Sequence, residues 1–136
     1  MGKIDEVRKS IDEALPQHLA GTYEKVAIEA LWRNMDAFFP FTAVGRWWDR
    51  NEEIDLVAIN KQLDSILFGD VKWSQKPIGI DIYERLREKS KKVPWGGKKR
   101  KEYFCFFSKK GFTEGMMKRA KMEGVKLFKE DQLVCS

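Results

Sequence analysis

Two short stretches of this 136-residue chain carry charge inside runs that are otherwise apolar. In Glu53-Ile54-Asp55-Leu56, strand alternation puts Glu53 and Asp55 on one face, with Ile54 and Leu56 on the other. In Asp70-Val71-Lys72-Trp73, Asp70 and Lys72 share a face while Val71 and Trp73 share the opposite one. Both stretches adjoin segments apolar enough for central strands, Leu56-Val57-Ala58-Ile59 and Ile66-Leu67-Phe68-Gly69. Charge on a buried strand is costly unless it is paired or bound to a metal. Two neighbouring strands that each present a carboxylate on one face would form a divalent-cation site, and oxygen donors suit Mg2+ or Mn2+. A lysine two residues beyond a metal-bound aspartate can orient a water or stabilise charge developing on a phosphate. The plainer alternatives are that Asp55 caps a turn or pairs with Lys72, and that Asp70 and Lys72 form an exposed pair on an edge strand. Val71 and Trp73 argue for a packed sheet instead.

The elements that must position these residues follow from apolar spacing. Ile4, Val7, Ile11 and Leu15 mark a helix over 3–15 that Pro16 ends. A second helix covers 23–35, and Phe38, Phe39, Pro40 and Phe41 break its period. Residues 42–49 follow, where the Trp47-Trp48 pair straddles a strand, one ring in the core and the other outside. Strands are expected over 52–60 and 65–73, joined by the polar turn 61–64, so the meander is antiparallel. A helix over 78–92 ends at Pro94-Trp95-Gly96-Gly97. A buried strand over 102–108, a helix over 113–123 and a short strand over 125–128 complete the pattern. The order α-α-β-β-β-α-β-α-β describes an α/β domain with one mixed central sheet flanked by helices. Residues 1–18 read as an N-terminal helix or connector, and 19–136 as one domain.

Composition narrows the chemistry. With 43% hydrophobic and 35% charged residues the chain can bury a real core. No apolar run approaches the ~20 residues of a membrane-spanning helix, and no signal peptide opens the sequence, so a cytoplasmic protein is expected. Cys105, expected in the core, and Cys135, expected in a frayed tail, cannot build a disulfide framework or a four-ligand zinc site. His18 is the one histidine, which leaves carboxylates and lysines to carry any chemistry. The excess of Lys, Arg and Glu over Asn and Gln hints at a thermophile.

Charge is unevenly spread. The first 68 residues hold 8 basic and 12 acidic side chains, and the remaining 68 hold 18 and 9. Between 85 and 101 stand Arg85, Arg87, Lys89, Lys91, Lys92, Lys98, Lys99, Arg100 and Lys101 against the single acid Glu88, with Trp95 inside and Tyr103 just beyond. Basic residues interleaved with aromatics suit phosphate backbones and stacked bases. A solvated helix face followed by a charged loop would look the same.

Glu53-x-Asp55, a hairpin turn and Asp70-x-Lys72, set in an α-β-β-β-α-β frame, resemble the PD-(D/E)xK nuclease superfamily. More narrowly, the acidic helix, Ile54-Asp55-Leu56-Val57, Gly69-Asp70-Val71-Lys72-Trp73 and Leu86-x-x-Lys89-Ser90 are similar to the C-terminal domain of archaeal AAA-type ATPases. Ile54 stands where the usual motif has proline. The chain has no P-loop, so the ATPase half is absent from it. The resemblance implies a restriction-endonuclease-like core and a helix glutamate, a place that Glu24 occupies. It also implies Mg2+-dependent hydrolysis of DNA phosphodiester bonds. Asp55, Asp70 and the Val71 carbonyl would hold the metal, Lys72 would position the attacking water, and Glu24 would bind through a water or hold a second cation. Arg85, Lys89, Lys92, Lys98, Lys99, Arg100 and Lys101 would bind the DNA backbone. An AAA-type ATPase domain in the parent protein and a homodimer are implied partners. The competing expectation is a non-catalytic nucleic-acid-binding or regulatory domain on the same fold. RNA binding through the basic strip alone is a third.

Overall fold

The computed structural model describes residues 22–135. The helix expected over 3–15, the connector and His18 lie outside the described residues. In chain order the elements are α1 (Thr22–Arg33), a 3-10 turn (Met35–Ala37), β1 (Ala43–Trp48), β2 (Glu53–Asn60), β3 (Ser65–Lys72), α2 (Ile80–Ser90), β4 (Lys101–Ser108), α3 (Glu114–Glu123), β5 (Lys126–Lys129) and β6 (Gln132–Cys135). From α1 to β5 this is the order that apolar spacing predicts. The sixth strand is not. Residues 132–135 pair antiparallel with β5, Leu127 opposite Cys135, which replaces the expected frayed tail. A turn with Glu130 in the left-handed region (φ 57°) makes that hairpin, a conformation that Glu130-Asp131 does not announce in sequence.

The six strands form one sheet in the order β1-β2-β3-β4-β5-β6. The first three are an antiparallel meander. β3, β4 and β5 run parallel. Parallel neighbours need a crossover, and α2 and α3 supply one each. α2 buries Tyr83, Leu86 and Ser90 at i, i+3 and i+7. α3 begins where the Thr113 side chain accepts from Met116 N–H and ends at left-handed Gly124.

The central strands are covered on both sides, which explains why β2 and β3 are nearly continuous apolar runs. On one face Val57, Ile59, Ile66, Phe68 and Phe106 pack against Tyr83 and Leu86 of α2 and Met116 and Ala120 of α3. On the other, Leu56, Ala58, Leu67, Cys105 and Phe107 pack against Ala27, Ala30 and Leu31 of α1. This mixed central sheet flanked by helices is the α/β arrangement expected of the domain. Trp47 is buried and Trp48 exposed, as the strand alternation requires.

Candidate active site

The site begins with an irregularity in the sheet. β1 and β2 keep one register from Ala43 opposite Ile59 to Gly45 opposite Val57, and a different one at Trp47 opposite Ile54 and Trp48 opposite Glu53. Between the two registers one residue of β1, Arg46, faces two of β2, Asp55 and Leu56. This is a β-bulge, a device that re-aims side chains. It corrects the strict alternation expected from sequence. Ile54 packs with Val57 and Ile59 beneath α2 and α3, whereas Leu56 packs with Ala58 beneath α1.

Asp55, freed from regular pleating, is aimed at β3. The ladder between β2 and β3 reaches Leu56 opposite Gly69, so the next residues outward are Asp55 and Asp70. Asp55 Oδ2 accepts a hydrogen bond from Val71 N–H at 3.0 Å, and the same N–H donates to Asp70 Oδ1 at 3.0 Å. Asp70 Oδ2 lies 3.7 Å from Lys72 Nζ. Burial pushes the Asp70 carboxyl up to about 8, the hydrogen bond and charge of Asp55 push in the same direction, and Lys72 and Lys89 oppose them. Burial beside a second carboxylate thus favours the protonated form of Asp70.

Three further groups converge on this end of the sheet. Glu24 of α1 pairs with Arg46, the residue opposite the bulge. Burial raises the Glu24 pKa, Arg46 opposes that rise, and Asp55 and Glu53 add to it. Lys89, near the end of α2, donates to the Glu53 carbonyl at 3.1 Å and so ties that helix to the start of β2. Arg46 was not singled out from sequence. The signal available was an arginine inside Val44-Gly45-Arg46-Trp47, a charge in a strand that is otherwise packed.

A divalent cation fits this donor set. Asp55, Asp70 and the Val71 carbonyl are hard oxygen donors, and the raised Asp70 pKa marks a place where positive charge would be favourable. Among the described residues no group of three His, Cys, Asp or Glu side chains is close enough together to hold a metal ion. A cation here would be held by two carboxylates and a main-chain oxygen, with water completing its shell.

The basic strip divides into three parts. Arg100 turns inward, its side chain only 10% exposed, with its Nε 2.9 Å from Glu102. Its terminal nitrogens donate to the carbonyls of Ser90, Val93 and Trp95 at 2.6–2.8 Å. It closes the end of α2, and its guanidinium is already taken up by these partners. Arg87, Lys91 and Lys92 pair with Glu123, Glu88 and Glu52. Arg85, Lys98, Lys99 and Lys101 are exposed. Trp95 is buried at 3% exposure and cannot stack on a base. Trp73 departs from expectation in the opposite sense, at 52% exposure instead of in a packed sheet. Lys109 Nζ sits 4.9 Å from the centre of its ring. The strand ends at Lys72, so nothing obliges residue 73 to keep the pleat.

Residues 1–92 match a family described as archaeal and bacterial proteins of unknown function, DUF234. The chain belongs to that family. An uncharacterised protein of Methanocaldococcus jannaschii is 40% identical over 112 residues, which is 79% of this chain and 24% of the relative. The chain thus spans about a quarter of that relative's length. A solved structure, a repair endonuclease from Pyrococcus abyssi, is similar over 78% of this chain and 46% of its own, with 15% identity and a TM-score of 0.48. The assignment of fold rests on the strand order and directions given above. Among the described residues no helix is long and apolar enough to cross a membrane.

Proposed function

We propose that this domain is a Mg2+- or Mn2+-dependent nuclease that hydrolyses DNA phosphodiester bonds. One observation carries the reading: a bulge aims Asp55 at Asp70, and Lys72 stands 3.7 Å from the second carboxylate. A bound cation would supply Lewis-acid activation of a water and of the scissile phosphate. Lys72 donates to the attacking water or to a non-bridging phosphate oxygen and stabilises the negative charge that grows as the water oxygen bonds to phosphorus. The attacking water releases a proton to bulk water, the bridging P–O bond breaks, and the departing oxygen takes a proton from bulk water, leaving a phosphate monoester on one product and a hydroxyl on the other. Lys89, anchored on the Glu53 carbonyl, adds positive charge on the α2 side. Arg85, Lys98, Lys99 and Lys101 contact the backbone beyond the site. Arg100 is not part of that set.

The domain is the C-terminal module of a larger ATPase in this reading, and homodimerisation would let two sites address two strands. The 24% coverage of the relative supports a larger parent. A non-catalytic, DNA-binding or regulatory role has one observation in its favour. Arg46 already neutralises Glu24, so that carboxylate is not free to take a cation. Melting curves with increasing Mg2+ and Mn2+ test the metal site. The nuclease reading predicts stabilisation that Asp70→Ala abolishes, together with metal-dependent DNA cutting. Absence of both effects in the wild type leaves the regulatory role.

A further inference from the structure

The loop leaving β3 borders an open cavity of about 340 Å³ that Lys72 helps to line. Pro77 and Ile82 give it apolar walls, with Ile78 buried behind them in the core, and Ser74, Asp81 and Thr113 add polar groups. Its frame is held by main chain. Ile78 N–H donates to Gly111 O at 3.0 Å, Thr113 N–H donates to Ile78 O at 3.0 Å, and Lys109 N–H donates to Lys72 O at 3.2 Å. A cavity fixed in this way is formed before any ligand arrives. Neither the carboxylate pair nor the basic strip makes use of it.

We infer that this cavity accepts one unpaired nucleobase of the DNA strand whose phosphate lies at Lys72, so that the substrate is single-stranded or locally unpaired DNA. The inference rests on the nuclease reading and deepens it. Lys72 belongs to both places, so the occupant of the cavity is joined to whatever phosphate that lysine meets. Apolar walls suit the faces of a base, and Ser74, Asp81 and Thr113 suit its edges. Lys76, at the same cavity, suits the next phosphate. The volume is at the lower end of the ~300–1,000 Å³ typical of small-molecule sites. It admits a single nucleotide and no base pair. A stacked and paired base would have to be extruded first, whereas an unpaired one enters without that cost.

The test uses the whole chain in EDTA, where no cutting intervenes. The probes are a short single strand, the same sequence as a duplex, and a thymidine trinucleotide with or without its central base. The single strand should bind roughly tenfold more tightly than the duplex. The trinucleotide should shift the methyl resonances of Ile78 and Ile82, and the abasic version should not. Ile82→Trp, which fills the cavity, should bring single-strand affinity down to the duplex level while the melting temperature confirms a folded protein. Equal affinity for the two DNA forms, or Ile methyls unmoved by the trinucleotide, overturns the pocket. Metal-dependent cutting of duplex combined with unmoved methyls overturns the pocket alone, whereas failure to bind or cut any DNA overturns the nuclease reading with it.

Discussion

The carboxylate of Asp55 accepts the N–H of Val71 at 3.0 Å, so a side chain, and not a strand, takes the hydrogen bond just beyond the last β2–β3 pair. That contact opens the sheet at the point where the second aspartate emerges. The bulge accompanies this contact: regular pleating would have kept Asp55 in step with Val57, on the face packed beneath α2 and α3.

The coupled aspartates make stability depend on pH and on metal together. The Asp70 pKa is raised to about 8 in the folded chain, far above the value of an unfolded aspartate, about 3.9. Between those values the native state holds a proton that the unfolded chain has released, so stability falls as pH rises. In EDTA the urea midpoint should decline from about pH 4 to about pH 8, and Asp70→Asn should flatten that decline. Because a cation displaces the proton, the gain from Mg2+ should increase over the same interval. A pH-independent Mg2+ effect would contradict the pairing.

Breaking the Glu24–Arg46 pair should cost stability from either side. Both side chains are mostly buried, at 14% and 23% exposure. Arg46→Met leaves an unpaired, mostly buried carboxylate, and the loss should be about 1–3 kcal/mol. The double variant Glu24→Gln with Arg46→Met should recover part of it, since an apolar replacement of the whole pair is tolerated better than half of it. Denaturant melts of the three variants give the coupling directly.

Gly69 allows the strand carrying Asp70 to sit close to its neighbours. A Cβ there would lie 2.8 Å from Cys105 Sγ and 3.1 Å from Leu56 Cβ. Gly69→Ala should therefore destabilise by about 1–3 kcal/mol through overpacking. Adding Cys105→Ala should restore part of the loss. Thermal melts compare the two.

Arg100 and its neighbours should separate cleanly between folding and binding. Arg100→Lys abolishes the fork that takes three carbonyls, so it should lower stability by about 2–4 kcal/mol while the folded fraction keeps its DNA affinity. Lys98→Ala with Lys99→Ala should do the reverse, leaving the melt unchanged and reducing the slope of log affinity against log salt by roughly 2. Melts and fluorescence anisotropy over a salt series distinguish them.

Much of this arrangement was legible because it is written in strong local signals. Alternation and turn residues located the meander, and the run Tyr103-Phe104-Cys105-Phe106-Phe107 located β4. Asp55, Asp70 and Lys72 stood out as charges in apolar strands. What escaped depends on contacts that no window of sequence contains. The bulge exists only as a mismatch between β1 and β2, so the faces of Ile54 and Leu56 could not be read from either strand alone. Arg100 looks like any member of a basic run until the carbonyls at the end of α2 are in place around it. Trp95 and Trp73 exchanged roles for a similar reason. The first is folded under the loop after α2, and the second lies one residue past the end of its strand. Arg46 became meaningful only when α1 brought Glu24 to it.

The central claim is most directly tested by incubating plasmid and single-stranded DNA with the protein in Mg2+, in Mn2+ and in EDTA, with Asp55→Asn, Asp70→Asn and Lys72→Ala alongside. The account predicts cutting that requires the metal and is lost in all three variants, each still folded and still bound to DNA. Cutting that survives Asp70→Asn, or a folded wild type that binds DNA and never cuts it with either metal, would contradict the account.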